Sequence, residues 1–143
     1  MAYVDTSALL KWYVPETGSD HFSDWIARQQ HIEISRLTCV EVRSALARRQ
    51  RAGSLSEDQA QQALDQFLAD VHDGLFTLHT VGDAAFLNAE SLLASANQQA
   101  PLRTLDALHL AVALDHSCSA FITADRGLAE AAILTGLQTL VIA

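Results

Sequence analysis

The chain has 143 residues, half of them apolar and 18% charged, with seventeen acids against nine bases for a formal net charge of −8. That length builds one domain able to remove roughly 70% of its unfolded surface from water. Six Gly, two Pro and two Cys exclude a collagen-like repeat, a disordered chain and a small disulfide scaffold, and the acidic balance alone points away from a polyanionic partner.

AYVD at 2–5 is short and β-prone and runs directly into helix-forming ALLKWYV, which stops at Pro15 and Gly18. The start lacks the basic and apolar run of a signal peptide. Apolar stretches near Leu110 fall far short of the ~20 residues of a membrane span, so a cytoplasmic protein away from the membrane is expected. Phe22, Trp25 and Ile26 recur at helical spacing, and IEIS at 32–35 is a strand by its two Ile. A helix is expected from Thr38 to about Arg51, closed by Gly53. After Ser56, Ala60, Leu64, Phe67, Leu68 and Val71 mark one face of the next helix.

FTLHTV after Gly74 alternates as a strand does. DAAFLNAESLLASAN is helical with Asp83 as its cap, and NQQAPLR around Pro101 is a loop. From Thr104, LDALHLAVAL is apolar on nearly every side, the pattern of a buried helix. AFIT at 120–123 is a strand, DRGLAEAAILT a helix ended by Gly136, and QTLVI a last strand. This alternation gives a single α/β domain over 1–143, with a mainly parallel sheet covered by helices. Cys39 and Cys118 show no C-x-x-C spacing and are read as small buried side chains without a redox role.

In such a sheet, function gathers at the carboxyl ends of the strands. Asp5 closes the first strand, Glu41 opens the helix after the second, Asp106 opens the buried helix and Asp125 follows AFIT. Each has a structural alternative. Asp5 and Asp125 fit N-caps, Thr38-Cys39-Val40-Glu41 fits a capping box, and Asp106 sits where an acid favours the helix dipole. Four carboxylates brought together would instead raise one another's pKa or recruit a cation.

The series V-D-T-S-A-L-L-K-W-Y-V-P-E-T-G, T-C-V-E-V-R-S-A-L, L-R-T-L-D-A-L-H-L-A-V-A and F-I-T-A-D-R-G-L resembles the PIN-domain family, and its opening is similar to the VapC ribonuclease toxins. The resemblance spans nearly the whole chain. It implies a three-layer fold and an acidic tetrad of Asp5, Glu41, Asp106 and Asp125 that binds Mg²⁺ or Mn²⁺, with Thr6 and Thr123 as supporting hydroxyls. Asp5 and Asp106 are expected to touch the metal, and Glu41 and Asp125 to orient water or a second ion. The implied reaction is endonucleolytic cleavage of RNA leaving 5′-phosphate and 3′-hydroxyl ends. His109 departs from the aliphatic residue common at its position and is read as a packed side chain outside the metal site.

Five of the nine bases, Arg36, Arg43, Arg48, Arg49 and Arg51, fall within sixteen residues. Arg43, Arg48 and Arg49 are expected to face RNA, the alternative being a solvated helix face. The resemblance also implies a VapB-type antitoxin and a homodimer, the latter matching the crowding of Trp12, Tyr13, Phe22 and Trp25 on two short helices. Phosphoaspartyl enzymes also place Asp after the first strand, but they need a site lysine, and their phosphatases a second Asp where Ser7 stands. Lys11 is the single lysine, and neither a P-loop nor G-x-G-x-x-G is present. A catalytically silent PIN-like binding module is the remaining alternative, and silent forms lack one or more of the acids retained here.

Overall fold

The computed structural model describes residues 1–95 and 101–143. Five strands and seven helices alternate among them: β1 (Ala2–Val4), α1 (Thr6–Tyr13), α2 (Ser19–Ile26), β2 (Ile32–Ser35), α3 (Arg36–Arg51), α4 (Glu57–His72), β3 (Phe76–His79), α5 (Asp83–Ser95), α6 (Thr104–Asp115), β4 (Ala120–Thr123), α7 (Arg126–Leu134) and β5 (Gln138–Val141). The strands form one sheet in the order β3-β2-β1-β4-β5, and every pair is parallel. Parallel strands need crossovers, and the helices that supply them cover both faces.

Alternation along the strands sorts the two cores. Val4, Ile32, Ile34 and Ile122 turn toward α1, α2, α3 and α4, whereas Tyr3 and Phe121 stack on each other and turn toward α5, α6 and α7. β1 and β4 lie in the middle of the sheet, with Val4 opposite Ile122. Whatever follows these two strands therefore emerges side by side at the carboxyl edge. Seven consecutive residues of α6, Ala107 through Ala113, are buried, as its unbroken apolar character requires.

Several local expectations shift, among them those for α3, α4 and α5. α3 begins at Arg36 rather than Thr38, because β2 ends on Ser35, whose N–H donates to Thr38 Oγ1 at 3.3 Å. Thr38 thus closes the cap from inside the helix, and Glu41 lies in its second turn, not in a capping box. The buried face of α4 is Ala60, Ala63 and Phe67, while Leu68 points outward. Asp83 is the first helical residue of α5, and the Gly82 carbonyl accepts the first bonds from Ala85 and Phe86. The end of DAAFLNAESLLASAN and the NQQA of the expected loop, residues 96–100, lie outside the described residues.

The aromatic crowding on α1 and α2 is mostly resolved within the chain. Phe22 is fully buried, Tyr13 packs edge-on against Phe67 of α4 and donates to Asp70 at 2.6 Å, and only Trp12 stays exposed. No described helix is long and apolar enough to cross a membrane.

Candidate active site

Asp5 follows β1 directly and its N–H extends the ladder to the Ile122 carbonyl at 3.0 Å. The carboxylate serves two purposes at once. Oδ1 caps α1 by accepting from the Ala8 N–H (3.1 Å) and also accepts from Ser7 Oγ (2.8 Å), while Oδ2 accepts from Thr123 Oγ1 at 2.7 Å across the β1–β4 seam. Capping and site membership are therefore not alternatives for this residue. Burial pushes the Asp5 carboxyl above the usual carboxylate range, against the opposing pull of His109 and of its own hydrogen bonds.

Asp125 repeats the pattern after β4. Its Oδ1 caps α7 through the Leu128 N–H at 3.1 Å, its own N–H donates to Thr123 Oγ1 at 3.0 Å, and Oδ2 lies 3.5 Å from Arg103 Nη2. Asp106, in the first turn of α6, meets the same guanidinium at 3.3 Å from Nε. One exposed arginine therefore spans two of the four acids, a role the sequence reading did not assign it.

Glu41 reaches the site from α3. It accepts from Thr6 Oγ1 at 2.7 Å and from His109 Nε2, and the opposite ring nitrogen of His109 lies 2.7 Å from the Tyr3 hydroxyl. Burial alone would raise the Glu41 carboxyl, but the His109 bond and charge and the Thr6 hydroxyl together hold it below its ordinary range. His109 is thus both a packed side chain, as expected, and a direct partner of a site acid. Its spacing of three from Asp106 on one helix face was the sequence signal for that role.

Asp5, Glu41, Asp106 and Asp125 line one cleft, together with Thr6, Ser7 and His109. Thr123 sits behind Asp5, fully buried. Arg48 and Arg49 line the same cleft, whereas Arg43 lies on another face of α3 with Gln50, next to Glu57 of α4. Ser7, where a phosphatase would need an acid, instead orients Asp5 and donates no ligand of its own to a phosphoaspartyl scheme.

Among the described residues, no three Asp, Glu, His or Cys side chains close on a common point as they stand. The donor set still suits a small hard cation. Its acids offer oxygen only, and Mg²⁺ keeps several waters and needs one or two direct carboxylates rather than a full protein cage. A buried carboxylate with a raised pKa beside two acids already drawn to a guanidinium is a place where added positive charge is favourable.

A parallel α/β sandwich with an acid-floored cleft at the carboxyl edge of its central strands defines the class of protein. The PIN domain family model matches residues 2–134, and the chain belongs to that family. No curated protein matches it by sequence. Among solved structures it is similar to FitAcB from Neisseria gonorrhoeae, with a TM-score of 0.74 at 16% identity over 98% of this chain and 96% of that one. It is similar also to VapC20 of Mycobacterium tuberculosis, described as a toxin that cleaves the sarcin-ricin loop, with a TM-score of 0.70 at 16% identity over 90% and 92% of the two chains. A third is VapBC2 from Rickettsia felis bound to a promoter DNA fragment, with a TM-score of 0.68 at 15% identity over 99% and 98%.

Proposed function

We propose that this PIN domain is a Mg²⁺- or Mn²⁺-dependent endoribonuclease of the VapC toxin type, held inactive by a cognate VapB-type antitoxin. One observation carries the reading: four carboxylates, two on helices α3 and α6 and two at the caps of α1 and α7, line a single cleft, with hydroxyls and an imidazole aimed at two of them. A divalent ion, which Asp5 and Asp106 would hold, would supply a water of lowered pKa and positive charge to stabilise the departing oxygen.

The chain's residues divide the remaining work. Ser7 and Thr123 fix both oxygens of Asp5, so this buried acid holds its orientation before any cation arrives. Thr6 and His109 keep Glu41 ionised as an acceptor for a water proton. Asp106 and Asp125, both reached by solvent, are available to positive groups entering the cleft. Arg48 and Arg49 supply cationic cleft wall that a polyanion requires in a chain of net charge −8. Products with 5′-phosphate and 3′-hydroxyl ends are expected.

The decisive experiment is cleavage of RNA by purified protein in EDTA and after adding Mg²⁺ or Mn²⁺. Metal-restored cleavage supports the nuclease; RNA binding without cleavage in either condition identifies a silent binding module. The acidic cleft suits an antitoxin segment bearing Arg or Lys, in keeping with similar structures solved as FitAB and VapBC complexes. Self-association as a homodimer completes the proposal, and a single species of about 15 kDa by light scattering would overturn it.

A further inference from the structure

Beside the acidic floor, the cleft wall carries a second built unit. Lys11, whose side chain is only 14% exposed, extends from α1 and donates from Nζ to the Thr17 carbonyl at 2.6 Å and to Glu16 Oε1 at 3.3 Å. Arg49, from the last turn of α3, grips the same carboxylate as a fork, with Nη1 2.8 Å from Oε2 and Nη2 donating to Oε1 at 3.4 Å. Lys11, Glu16, Arg49 and Arg48 all line the cleft that Asp5 and Asp106 floor.

The loop that presents Glu16 is fixed. Its N–H donates to Ser19 Oγ at 2.9 Å, its carbonyl accepts from the Ser19 N–H at 3.1 Å, and Ser19 Oγ donates to the Val14 carbonyl. Gly18 makes room for the lysine stem: at φ +91° it occupies the left-handed region, and a Cβ there would lie 3.0 Å from Lys11 Cδ. Two cations share one anion, which leaves the unit one net positive charge. An ammonium N–H and several guanidinium N–H groups remain for another acceptor. A phosphodiester carries one negative charge and presents oxygens that suit both donors.

We infer that Lys11 and Arg49, held in register by Glu16, form the subsite for an RNA phosphodiester neighbouring the one at the acidic floor. Glu16 is a positioning residue. Without it, two long side chains beside four carboxylates are free to collapse onto the floor, where they would meet acids instead of RNA. This inference rests on the ribonuclease reading above.

The test measures binding of a labelled single-stranded RNA to the full chain in EDTA across a range of KCl concentrations. Lys11→Met and Arg49→Gln each weaken binding roughly tenfold and lower the slope of log affinity against log salt by about 0.7. Arg49→Lys keeps the slope but not the full affinity, since the fork is lost. Glu16→Gln decides between mechanisms. Net charge alone predicts that removing an acid tightens RNA binding, whereas loss of the anchor weakens it severalfold. In Mg²⁺ the same variants raise KM with kcat little changed, and melting temperatures check that each is folded. Glu16→Gln binding RNA as tightly as wild type or tighter, or unchanged salt slopes in Lys11→Met and Arg49→Gln, overturns the subsite while wild-type cleavage leaves the nuclease standing. A wild-type protein that neither binds nor cuts RNA removes both.

Discussion

His109 and Glu41, 68 positions apart, are hydrogen-bonded partners across the cleft, and the far nitrogen of the same imidazole meets the Tyr3 hydroxyl beneath the sheet edge. Because Glu41 is held ionised it can only accept, so the proton of this bond sits on His109 Nε2. A residue of the most buried helix thereby fixes the charge state of an acid on α3.

His109→Ala removes that donor. Its buried site should cost roughly 2 to 4 kcal/mol of stability, chiefly from the cavity, since the Tyr3 hydroxyl keeps Ser35 Oγ as a partner at 2.9 Å. The Glu41 carboxyl should titrate at higher pH, since the bond and charge that lowered it are gone. In the variant, the acid limb of kcat/KM against pH should move upward. An unmoved limb would show that Glu41 does not act through His109.

Asp5→Asn should abolish metal-dependent cleavage while leaving the metal-free protein as stable as wild type or more so. The folded-state pKa of Asp5 is raised by burial, so ionised Asp5 opposes folding above that pKa and stops opposing it as pH falls below its unfolded value. Asn keeps the Ala8 cap and carries no charge. Asp106→Asn should also abolish cleavage, losing about 0.3 to 1 kcal/mol with the helix dipole. Wild type should gain melting temperature from Mg²⁺ and both variants less. Equal gains in all three would count against a shared site.

Arg48→Ala and Arg43→Ala separate the two sides of α3. Arg48 lines the cleft and Arg43 does not. The first should weaken RNA binding and flatten its salt dependence by about one phosphate contact, roughly 0.7 in slope; the second should leave both unchanged. Equal effects would mean that only the overall charge of the helix matters.

Away from the cleft, Glu33 is buried in the middle of β2, where it accepts from His79 Nε2 (2.8 Å) and from the Cys118 thiol (3.0 Å). Burial would raise its carboxyl, yet Cys118 and His79 together hold it below its ordinary range. Its contribution to stability is therefore complete above the unfolded pKa, about 4.3, and is lost as pH falls through the folded value. Burial and the same carboxylate push the Cys118 thiol up to about 12. Native protein at about pH 8 should leave Cys118 unalkylated until it unfolds, because the thiolate is the nucleophile. Rapid native modification would contradict this placement.

Much of the architecture follows from local pattern. The alternation of β-prone runs with 3.6-period stretches is enough to place β2 and β4 at their observed residues and to bury α6, because a segment apolar on all sides has nowhere else to go. The order of Asp5, Glu41, Asp106 and Asp125 was legible too, since each sits beside a strand end or near a helix start. Of their hydrogen-bond partners, the hydroxyls of Thr6 and Thr123 were indicated by the family resemblance and not by local pattern. Thr123 faces Asp5 because β1 and β4 are neighbours in register, a pairing between residues more than a hundred positions apart. Ser7 carries no motif of its own, His109 is marked only by its spacing of three from Asp106, and Arg103 stands out only once α6 and α7 are seen to start beside each other. The division of the arginines depends on the rotation of α3 about its axis, which is set by Val42, Ala45 and Leu46 packing into the core. Local propensity chose the elements and seated the acids at their ends. Sheet order and core packing, which only long-range contacts specify, determined which side chains meet across the cleft and which charges they carry there.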